Sequence, residues 1–233
     1  MIVAGIATVI NEADIIGISC EHLLASGVDH IYISLMPSTD STEKILRGID
    51  HVTVIPDDTP YHDQPARTGE LAALAASEGA NWILPFDADE FIYPVAHESI
   101  NAAFVSVPEG VNKLVINRWL HRDWNWRHLP CERLPKVAWR TGFPTVCHPG
   151  NHDVTIRGGA LLDVFRMREL QFRSYEHIAR KCQERVRYID PSFGPERGAH
   201  QRYLAALPED KLKAAWSAMQ AIPSVFDPIP VRA

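Results

Sequence analysis

The sequence predicts an α/β protein with a doubly wound, mostly parallel sheet, helices on both faces and a helical C-terminal segment. Apolar runs of strand length at 2–10, 30–35, 52–55 and 82–86 alternate with segments of helical pattern. Strands alternating with helices are typical of a parallel sheet. The chain has 233 residues, of which 46% are hydrophobic and 22% charged, so it resembles an ordinary globular protein and is long enough to bury a substantial core.

The first half of the chain predicts three strands and three helices before the strand at 82. Cap-type residues at 11–14 follow the first strand and open an amphipathic helix to about residue 25, where Gly27 supplies the stop. A polar turn at 37–40 and a short helix at 41–47 lead to the third strand. After a loop rich in Asp and Pro, an Ala- and Leu-rich helix at 67–78 ends at Gly79.

The second half has a looser pattern. We expect a helix at 97–105, a strand at 113–117 and another at 136–140. Between them, residues 118–126 hold three Trp with two Arg, a His and an Asp. Flat Trp faces pack in cores and also against sugar rings, and the sequence leaves both readings open.

The C-terminal part is expected to be helical. Ser174 is a candidate cap for a helix to about residue 188, and residues 195–221 read as helical and partly amphipathic. The Pro-spaced tail, 223–233, is expected to be irregular. This pattern predicts a catalytic domain at 1–190 and a helical extension at 191–233, packed on the same domain.

Composition and charge exclude some classes of function. A formal charge of −6 argues against nonspecific nucleic-acid binding, which relies on a basic surface. The apolar N-terminus lacks a basic segment and is interrupted by Asn11 and Glu12, so it predicts a first strand and not a signal peptide or membrane span. The four cysteines form no C-x-x-C pair, which predicts reduced thiols in a cytoplasmic protein.

Three carboxylates crowd the end of the strand at 82–86. Asp87, Asp89 and Glu90 follow an apolar run directly, and another apolar segment resumes at Phe91. Acids crowded at a buried strand end repel one another unless a cation or a cluster of bases lies among them. Carboxylates two residues apart offer the oxygen ligands that Mg2+ and Mn2+ prefer. A solvated acidic turn is the alternative, but the apolar flanks favour a metal site.

Several segments together resemble the glycosyltransferase family 2-like group with the GT-A fold. The most specific is Asp-Ala-Asp-Glu-Phe at 87–91, and further segments follow the first and second strands, precede the helix at 67–78, and supply basic residues downstream. The resemblance covers roughly residues 1–190. The residues that carry it outside the acidic strand end are Asn11, Glu12, Ser38, Thr39, Asp40, Ser41, Thr42, Gln64, Arg67, Lys136, Arg140, Arg173, Ser174, Tyr175 and Lys181.

The resemblance implies a transferase that uses a nucleotide diphosphate sugar as donor and a hydroxyl group of a small molecule or glycan as acceptor. Asp87 and Asp89 would hold Mn2+ or Mg2+ on the diphosphate, with a histidine from the C-terminal half completing the metal shell. His152 is the first choice for that histidine and His148 the second. Asn11 and Glu12 would lie near the nucleotide and Asp40 near its base, with Arg67 and Ser174 in the same donor site.

The chemistry of this reaction assigns further candidates. The basic side chains of Lys136, Arg140, Arg173 and Lys181 would add positive charge on phosphate oxygens, although each is also an ordinary surface charge. Arg173 is the strongest because it precedes a helix N-terminus. An inverting displacement needs a base near the acceptor hydroxyl, and the candidates in order are Asp123, Glu90 and Asp153.

Three alternatives remain open at this point. Histidines four residues apart suggest zinc, but Pro149 and Gly150 between His148 and His152 disfavour the helix that such a pair needs. A nucleotidyltransferase commonly has a Gly-rich, basic loop after the first strand, whereas this chain has Asn-Glu-Ala-Asp at 11–14. A noncatalytic carbohydrate- or nucleotide-binding protein of the same fold is the third alternative.

Overall fold

Strands and helices alternate through the first half of the chain. The computed structural model of the chain describes residues 1–190, 192, 194 and 198–232, with side chains omitted at 130–133 and 200. The helices are α1 (Ile16–Ala25), α2 (Thr42–Leu46), α3 (Gln64–Ser77), α4 (Ile100–Val105), α5 (Tyr175–Arg187), α6 (Ala199–Ala206) and α7 (Glu209–Gln220). The strands are β1 (Val3–Val9), β2 (His30–Leu35), β3 (Val52–Pro56), β4 (Trp82–Pro85), β5 (Glu90–Pro94), β6 (Val111–His121), β7 (Trp126–Arg140), β8 (Val146–Cys147), β9 (Val154–Thr155), β10 (Gly159–Glu169) and β11 (Ser224–Phe226).

The main sheet is mixed, with a parallel half and a mostly antiparallel half. Its strand order is β3-β2-β1-β4-β7-β6-β10-β5, and β11 adds to β7. Strands β3, β2, β1 and β4 are parallel, while β7 runs antiparallel to both β4 and β6. Strands β8 and β9 form a separate small hairpin. The predicted α/β sheet with mostly parallel central strands is confirmed.

Two apolar layers cover the faces of the parallel strands. Residues such as Ile16, Leu23 and Phe104 pack on one face with the buried ring of Trp82, while Leu71 and Ala75 of α3 pack on the other. Helices therefore lie on both faces, as the sequence predicted. The continuous apolar runs of β1 and β4 are explained because a strand between two helical layers is buried on both sides.

Two predicted helix starts were placed wrongly. The cap-type residues after β1 form a turn, because Asn11 has a left-handed backbone with φ 49° and α1 begins only at Ile16. Helix α3 begins at Gln64, since Asp63 caps it by accepting a hydrogen bond from the backbone N–H of Ala66. The pattern of apolar residues located both helices but not their first turns.

Strands β6 and β7 form a hairpin longer than the two predicted strands. The aromatic segment at 118–126 is the end of β6 and the hairpin turn. Trp119 stacks under the guanidinium of Arg127, 4.5 Å from the ring centre, and Trp124 packs edge-on against Phe91 at 5.2 Å between ring centres. These contacts favour the packing interpretation of this segment.

Helices α6 and α7 pack on α5 through a small apolar cluster that includes Ile178, Cys182, Leu204 and Leu212. The predicted division of the chain at residue 190 stays a prediction. The expectation of an irregular tail was wrong for Ser224–Phe226, which pairs antiparallel with Trp126–His128 of β7. Two flanking prolines concealed this three-residue strand, because proline is read as an interruption of regular structure.

The last residues run back across the molecule from β11. The N–H groups of Asp227 and Ile229 donate to the carbonyls of Asn125 and Trp124 at the tip of the β6–β7 hairpin, and Arg232 donates to His22 of α1 at 3.0 Å. Among the described helices, none is long and apolar enough to span a membrane. Cys20, Cys147 and Cys182 are free thiols, while the side chain of Cys131 lies outside the described part.

Candidate active site

The carboxyl ends of β1, β2 and β4 meet at one edge of the sheet. Strand β1 lies between β2 and β4 and is parallel to both, so the segments that follow these strands emerge side by side. Asp87 and Asp89 lie in the turn between β4 and β5, anchored by the fully buried rings of Phe86 and Phe91. The acidic turn is therefore fixed by the core on both sides.

Lys136 of β7 provides the first counter-ion for this turn. Its side chain is fully buried, with Nζ 2.8 Å from Asp87 Oδ2 and 3.3 Å from Glu90 Oε2. The backbone N–H of Asp87 donates to Glu90 Oε2 at 2.8 Å. Glu90 therefore helps to shape the turn and shares one buried cation with Asp87.

Two further residues extend the cluster on the side of β6 and β10. Arg118 Nη1 lies 3.2 Å from Glu90 Oε1 and 3.6 Å from Glu169 Oε1. The N–H of Leu170, the residue after Glu169, donates to the carbonyl of Asp89 at 2.8 Å. The end of β10 is thus tied directly to the acidic turn.

A second group of bases reaches the acidic turn from α5 and the segment before it. Lys181 Nζ lies 2.6 Å from Asp89 Oδ2 and 3.1 Å from Glu12 Oε1. Arg173 binds Glu12 and Asp14, each at 2.6 Å, and its Nη1 lies 3.9 Å from Asp89 Oδ2. Glu12, near the end of β1, is therefore joined to the acidic turn through shared cations.

The cations set the ionisation of the buried acids. Burial by itself would raise the pKa of Asp87, but Lys136 and more distant guanidinium groups lower it to about 2. Burial likewise opposes ionisation of Glu12, yet Lys181 and other neighbours hold its pKa well below the usual range. Burial raises the pKa of Glu90 to about 8, and repulsion from Asp87 acts in the same direction.

His152 faces this cluster from the turn at Pro149–Asn151. Its Nδ1 lies 2.8 Å from the carbonyl of Pro135 in β7, which fixes the ring when that nitrogen carries the proton and leaves the lone pair of Nε2 available. Gly150 has φ 74°, and a Cβ at that position would collide with the imidazole. Gly150 is thus required both by its backbone conformation and by the ring that lies over it.

Two adjoining cavities lie over the sheet edge. A cavity of about 230 Å³ is lined by Asp87, Asp89, Lys181 and Glu169, among others. A larger one of about 470 Å³ lies over the ends of β1 and β2. The residues common to both walls are Gln64, Gly150, His152, Arg185 and Gln201. The combined space suits a ligand with one anionic part and one flatter, less polar part.

Three predicted donor-site residues make contacts that hold the loops together. Asn11 Oδ1 accepts from the N–H of Thr39 at 2.7 Å, and Asp40 accepts from the N–H groups of Ala13 and Thr42 at 3.1 and 2.9 Å. Ser174 caps α5 by accepting from the N–H of His177, as predicted from its position. These contacts give Asn11, Asp40 and Ser174 a structural task at the site's border.

Two predicted arginines have other partners. Arg67 lies 2.9 Å from Asp57 and 2.5 Å from Glu70. Arg140 donates to the carbonyl of Val111 at 2.9 Å and stacks on Trp82. The position of Arg140 corrects the expectation that it joins the phosphate-binding side chains, because antiparallel pairing puts it opposite Trp82, at the start of β4. Lys136, four residues earlier, lies about 13 Å away along the strand, at the carboxyl edge.

The predicted bases and the second histidine are spread more widely. Asp123 lies in the hairpin turn, where it binds Arg122 at 3.0 Å and accepts from two backbone N–H groups. Asp153 pairs with Lys113 at 2.9 Å, and His148 Nε2 contacts Thr155 Oγ1 at 2.9 Å. As far as the described residues go, these three side chains do not line either cavity. Of the predicted bases, Glu90 belongs to the buried cluster.

Sequence reasoning missed Arg118, Glu169 and Arg185. Arg185 follows Lys181 by four residues on α5, and this helical spacing places both on one face, a signal that was available. Glu169 ends β10 and Arg118 lies three residues before the end of β6. Only the parallel pairing of these two strands reveals that both residues reach the same sheet edge. Among the described residues, no three acidic, histidine or cysteine side chains form a preformed metal cage.

Comparisons with solved structures establish the fold. S. aureus TarS 1-349 in complex with UDP-GlcNAc matches with a TM-score of 0.50 and 14% identity, over 93% of this chain and 72% of the TarS 1-349 chain. Glucosyl-3-phosphoglycerate synthase from Mycobacterium tuberculosis, in complex with Mn2+, UDP and phosphoglyceric acid, matches with a TM-score of 0.37 and 16% identity. That match spans 50% of this chain and 43% of the synthase. No protein-family model and no curated protein matches the chain. The chain has the GT-A glycosyltransferase fold.

Proposed function

We propose that the protein transfers a glycosyl group from a nucleotide diphosphate sugar to a hydroxyl acceptor. One observation carries this proposal. The acidic turn with Asp87 and Asp89 lines the small cavity, and buried bases pair with both carboxylates. This cavity lies at the carboxyl edge of a GT-A sheet and adjoins the larger cavity. Open α/β sheets bind their ligands at this edge. A diphosphate fits the charged cavity and a nucleoside fits the larger one.

The donor set suits Mn2+ or Mg2+. Asp87, Asp89 and His152 all line the small cavity, and the contact of His152 Nδ1 with the carbonyl of Pro135 leaves Nε2 available to an ion. Such ions are commonly held by one or two carboxylates together with substrate phosphates, so a preformed protein cage is not needed. When bound, the ion would stabilise the negative charge that develops on the departing diphosphate. His148 contacts Thr155 through its Nε2 and is not among the described residues that line either cavity, so we leave it out of the metal shell.

Bases around the cavity supply further stabilisation. Lys181 and Arg185 both line the small cavity, and Arg173 Nη1 lies 3.9 Å from Asp89 Oδ2. Their N–H groups would donate to phosphate oxygens and so favour cleavage of the bond between the anomeric carbon and the diphosphate. Glu12 keeps Lys181 and Arg173 in position.

We assign the acceptor base to Glu169, in place of Asp123. Glu169 lines the same cavity as the two aspartates, whereas Asp123 is engaged in a hairpin turn. In an inverting displacement, the carboxylate takes the acceptor's hydroxyl proton as the acceptor oxygen bonds to the anomeric carbon and the diphosphate leaves. Glu169→Gln should retain affinity for UDP but release UDP from UDP-N-acetylglucosamine at least a hundredfold more slowly.

Calorimetric titration with UDP tests the donor site directly. Mn2+ should tighten UDP binding to the unmodified protein, and Asp89→Asn should remove this effect because the carboxylate that binds the ion is gone. Asp210→Asn, in the exposed first turn of α7, is the matched control and should leave the effect intact. UDP affinity that is equal with and without Mn2+ in the unmodified protein would contradict the metal site.

Absence of UDP binding under both conditions would refute the donor assignment as a whole. A protein that binds UDP with Mn2+ but releases none from a panel of UDP-sugars, with or without hydroxyl acceptors, would be a noncatalytic binding protein of this fold. The same two assays therefore separate transferase from binding module.

A further inference from the structure

We infer that Lys181 is an exchangeable counter-ion, which holds the ion-binding carboxylate Asp89 until a diphosphate takes the lysine over, so that the divalent ion and the nucleotide bind together. This inference rests on the proposed function and concerns how the ion and the nucleotide enter its donor site. The divalent ion alone would bind the protein weakly. The ion would strongly increase the affinity of the protein for the nucleotide.

The first observation is that an ammonium group already lies on each aspartate. Lys136 Nζ is 2.8 Å from Asp87 Oδ2 and Lys181 Nζ is 2.6 Å from Asp89 Oδ2. A divalent ion bound to both carboxylates would stand close to two positive charges. Like charges held a few ångströms apart repel by several kcal/mol at the effective dielectric of a protein, about 4 kcal/mol for unit charges at 4 Å.

The second observation is that cationic side chains already surround the carboxylates of the cluster. Within the described part of the chain, five largely buried carboxylates contact five cationic side chains through ion pairs of 2.6–3.9 Å. Because cations already lie against these carboxylates, an added divalent ion would bring uncompensated positive charge, whereas an ion that arrives with a diphosphate would not. The acids are Glu12, Asp87, Asp89, Glu90 and Glu169, and the bases are Arg118, Lys136, Arg173, Lys181 and Arg185.

The third observation distinguishes the two lysines. Lys136 is fully buried on β7 and its ammonium pairs with Asp87 and Glu90; it is not among the described residues that line the cavity. Lys181 is 12% exposed, lies on α5 and lines the 230 Å³ cavity. A small rotation of its flexible stem would turn the ammonium from Asp89 toward a phosphate oxygen. Lys181 is therefore the lysine that can exchange its carboxylate partner for a phosphate, while Lys136 stays paired with its carboxylates.

The test measures Mn2+ binding directly, by electron paramagnetic resonance of the free ion, at neutral pH and without substrate turnover. In the unmodified protein, we expect saturating UDP to tighten Mn2+ binding by about tenfold or more, with Mn2+ tightening UDP binding by the same factor, as linkage requires. Lys181→Met removes the competing ammonium, so Mn2+ alone should bind about tenfold more tightly than to the unmodified protein.

The matched control is Lys213→Met. Lys213 also forms a 2.6 Å ion pair, with Glu209, but on the exposed surface of α7. Its substitution should leave Mn2+ binding unchanged. Lys181→Gln provides the same charge removal with a polar side chain, should the methionine variant fail to fold.

Two results would overturn the inference. One is Mn2+ affinity in the unmodified protein that is the same with and without UDP, a measurement that needs no variant. The other is a folded Lys181 variant that gains no affinity for Mn2+ alone. If UDP fails to bind the unmodified protein even with Mn2+, the proposed function itself fails and takes this inference with it.

Discussion

Replacing Lys136 by Met should destabilise the protein strongly. The ammonium of Lys136 is fully buried and is shared by Asp87 and Glu90 at 2.8 and 3.3 Å. Methionine fills a similar volume but leaves Asp87 without its nearest cation, while Glu90 keeps only Arg118, at 3.2 Å. Removing one partner of a buried ion pair costs about 3–5 kcal/mol, because the remaining charge stays buried and uncompensated.

Urea unfolding followed by circular dichroism at neutral pH measures this cost. The exposed ion pair of Lys213 and Glu209 is the reference, since Lys213→Met should change the stability little at a solvent-screened surface. Combining Lys136→Met with Asp87→Asn removes both partners, and the double variant should regain part of the lost stability. A Lys136→Met loss as small as that of Lys213→Met would refute the buried pairing.

Three further variants test other parts of the site. Gly150→Ala should cost about 1–2 kcal/mol of stability because residue 150 has a left-handed backbone. It should also displace His152 and so weaken the effect of Mn2+ on UDP binding. A calorimetric titration that shows an unchanged Mn2+ effect would contradict the role of His152. Asp87, with a folded pKa of about 2 against 3.8, adds stability that is full above pH 4 and lost as pH falls toward 2. Urea midpoints of Asp87→Asn should therefore fall less steeply than those of the unmodified protein over that range, and parallel curves would disprove the shift. Arg140→Met should lower stability by about 1–3 kcal/mol through its lost hydrogen bonds while UDP affinity stays within twofold, because Arg140 contacts Val111 away from the cavities.

The parallel half of the sheet was predictable from local sequence. Continuous apolar runs at β1, β2, β3 and β4 carry a strong signal, and each is followed by polar residues that mark the carboxyl edge. This reasoning placed Asp87 and Asp89 directly after β4, at the carboxyl edge of the parallel strands, where the structure has them. It also anticipated that crowded acids need cations, and the bases around the turn supply them.

The antiparallel half was not predictable in the same way. The pairing of β7 with β4 decides that Lys136 reaches the acidic turn while Arg140 lies opposite Trp82. Register between distant strands is set by the packing of whole faces and leaves little trace in a short segment. For the same reason, the position of Glu169 beside the acidic turn follows from the pairing of β10 and not from its neighbours in sequence.

The returning tail has a consequence for the order of folding. Its last contact, from Arg232 to His22, joins residues separated by 210 positions, and its contacts with Trp124 and Asn125 bridge about half the chain. Closing such long loops carries a large entropic cost that slows their formation. The tip of the β6–β7 hairpin is thus expected to reach its final order late, when distant segments meet, although its own strands pair locally.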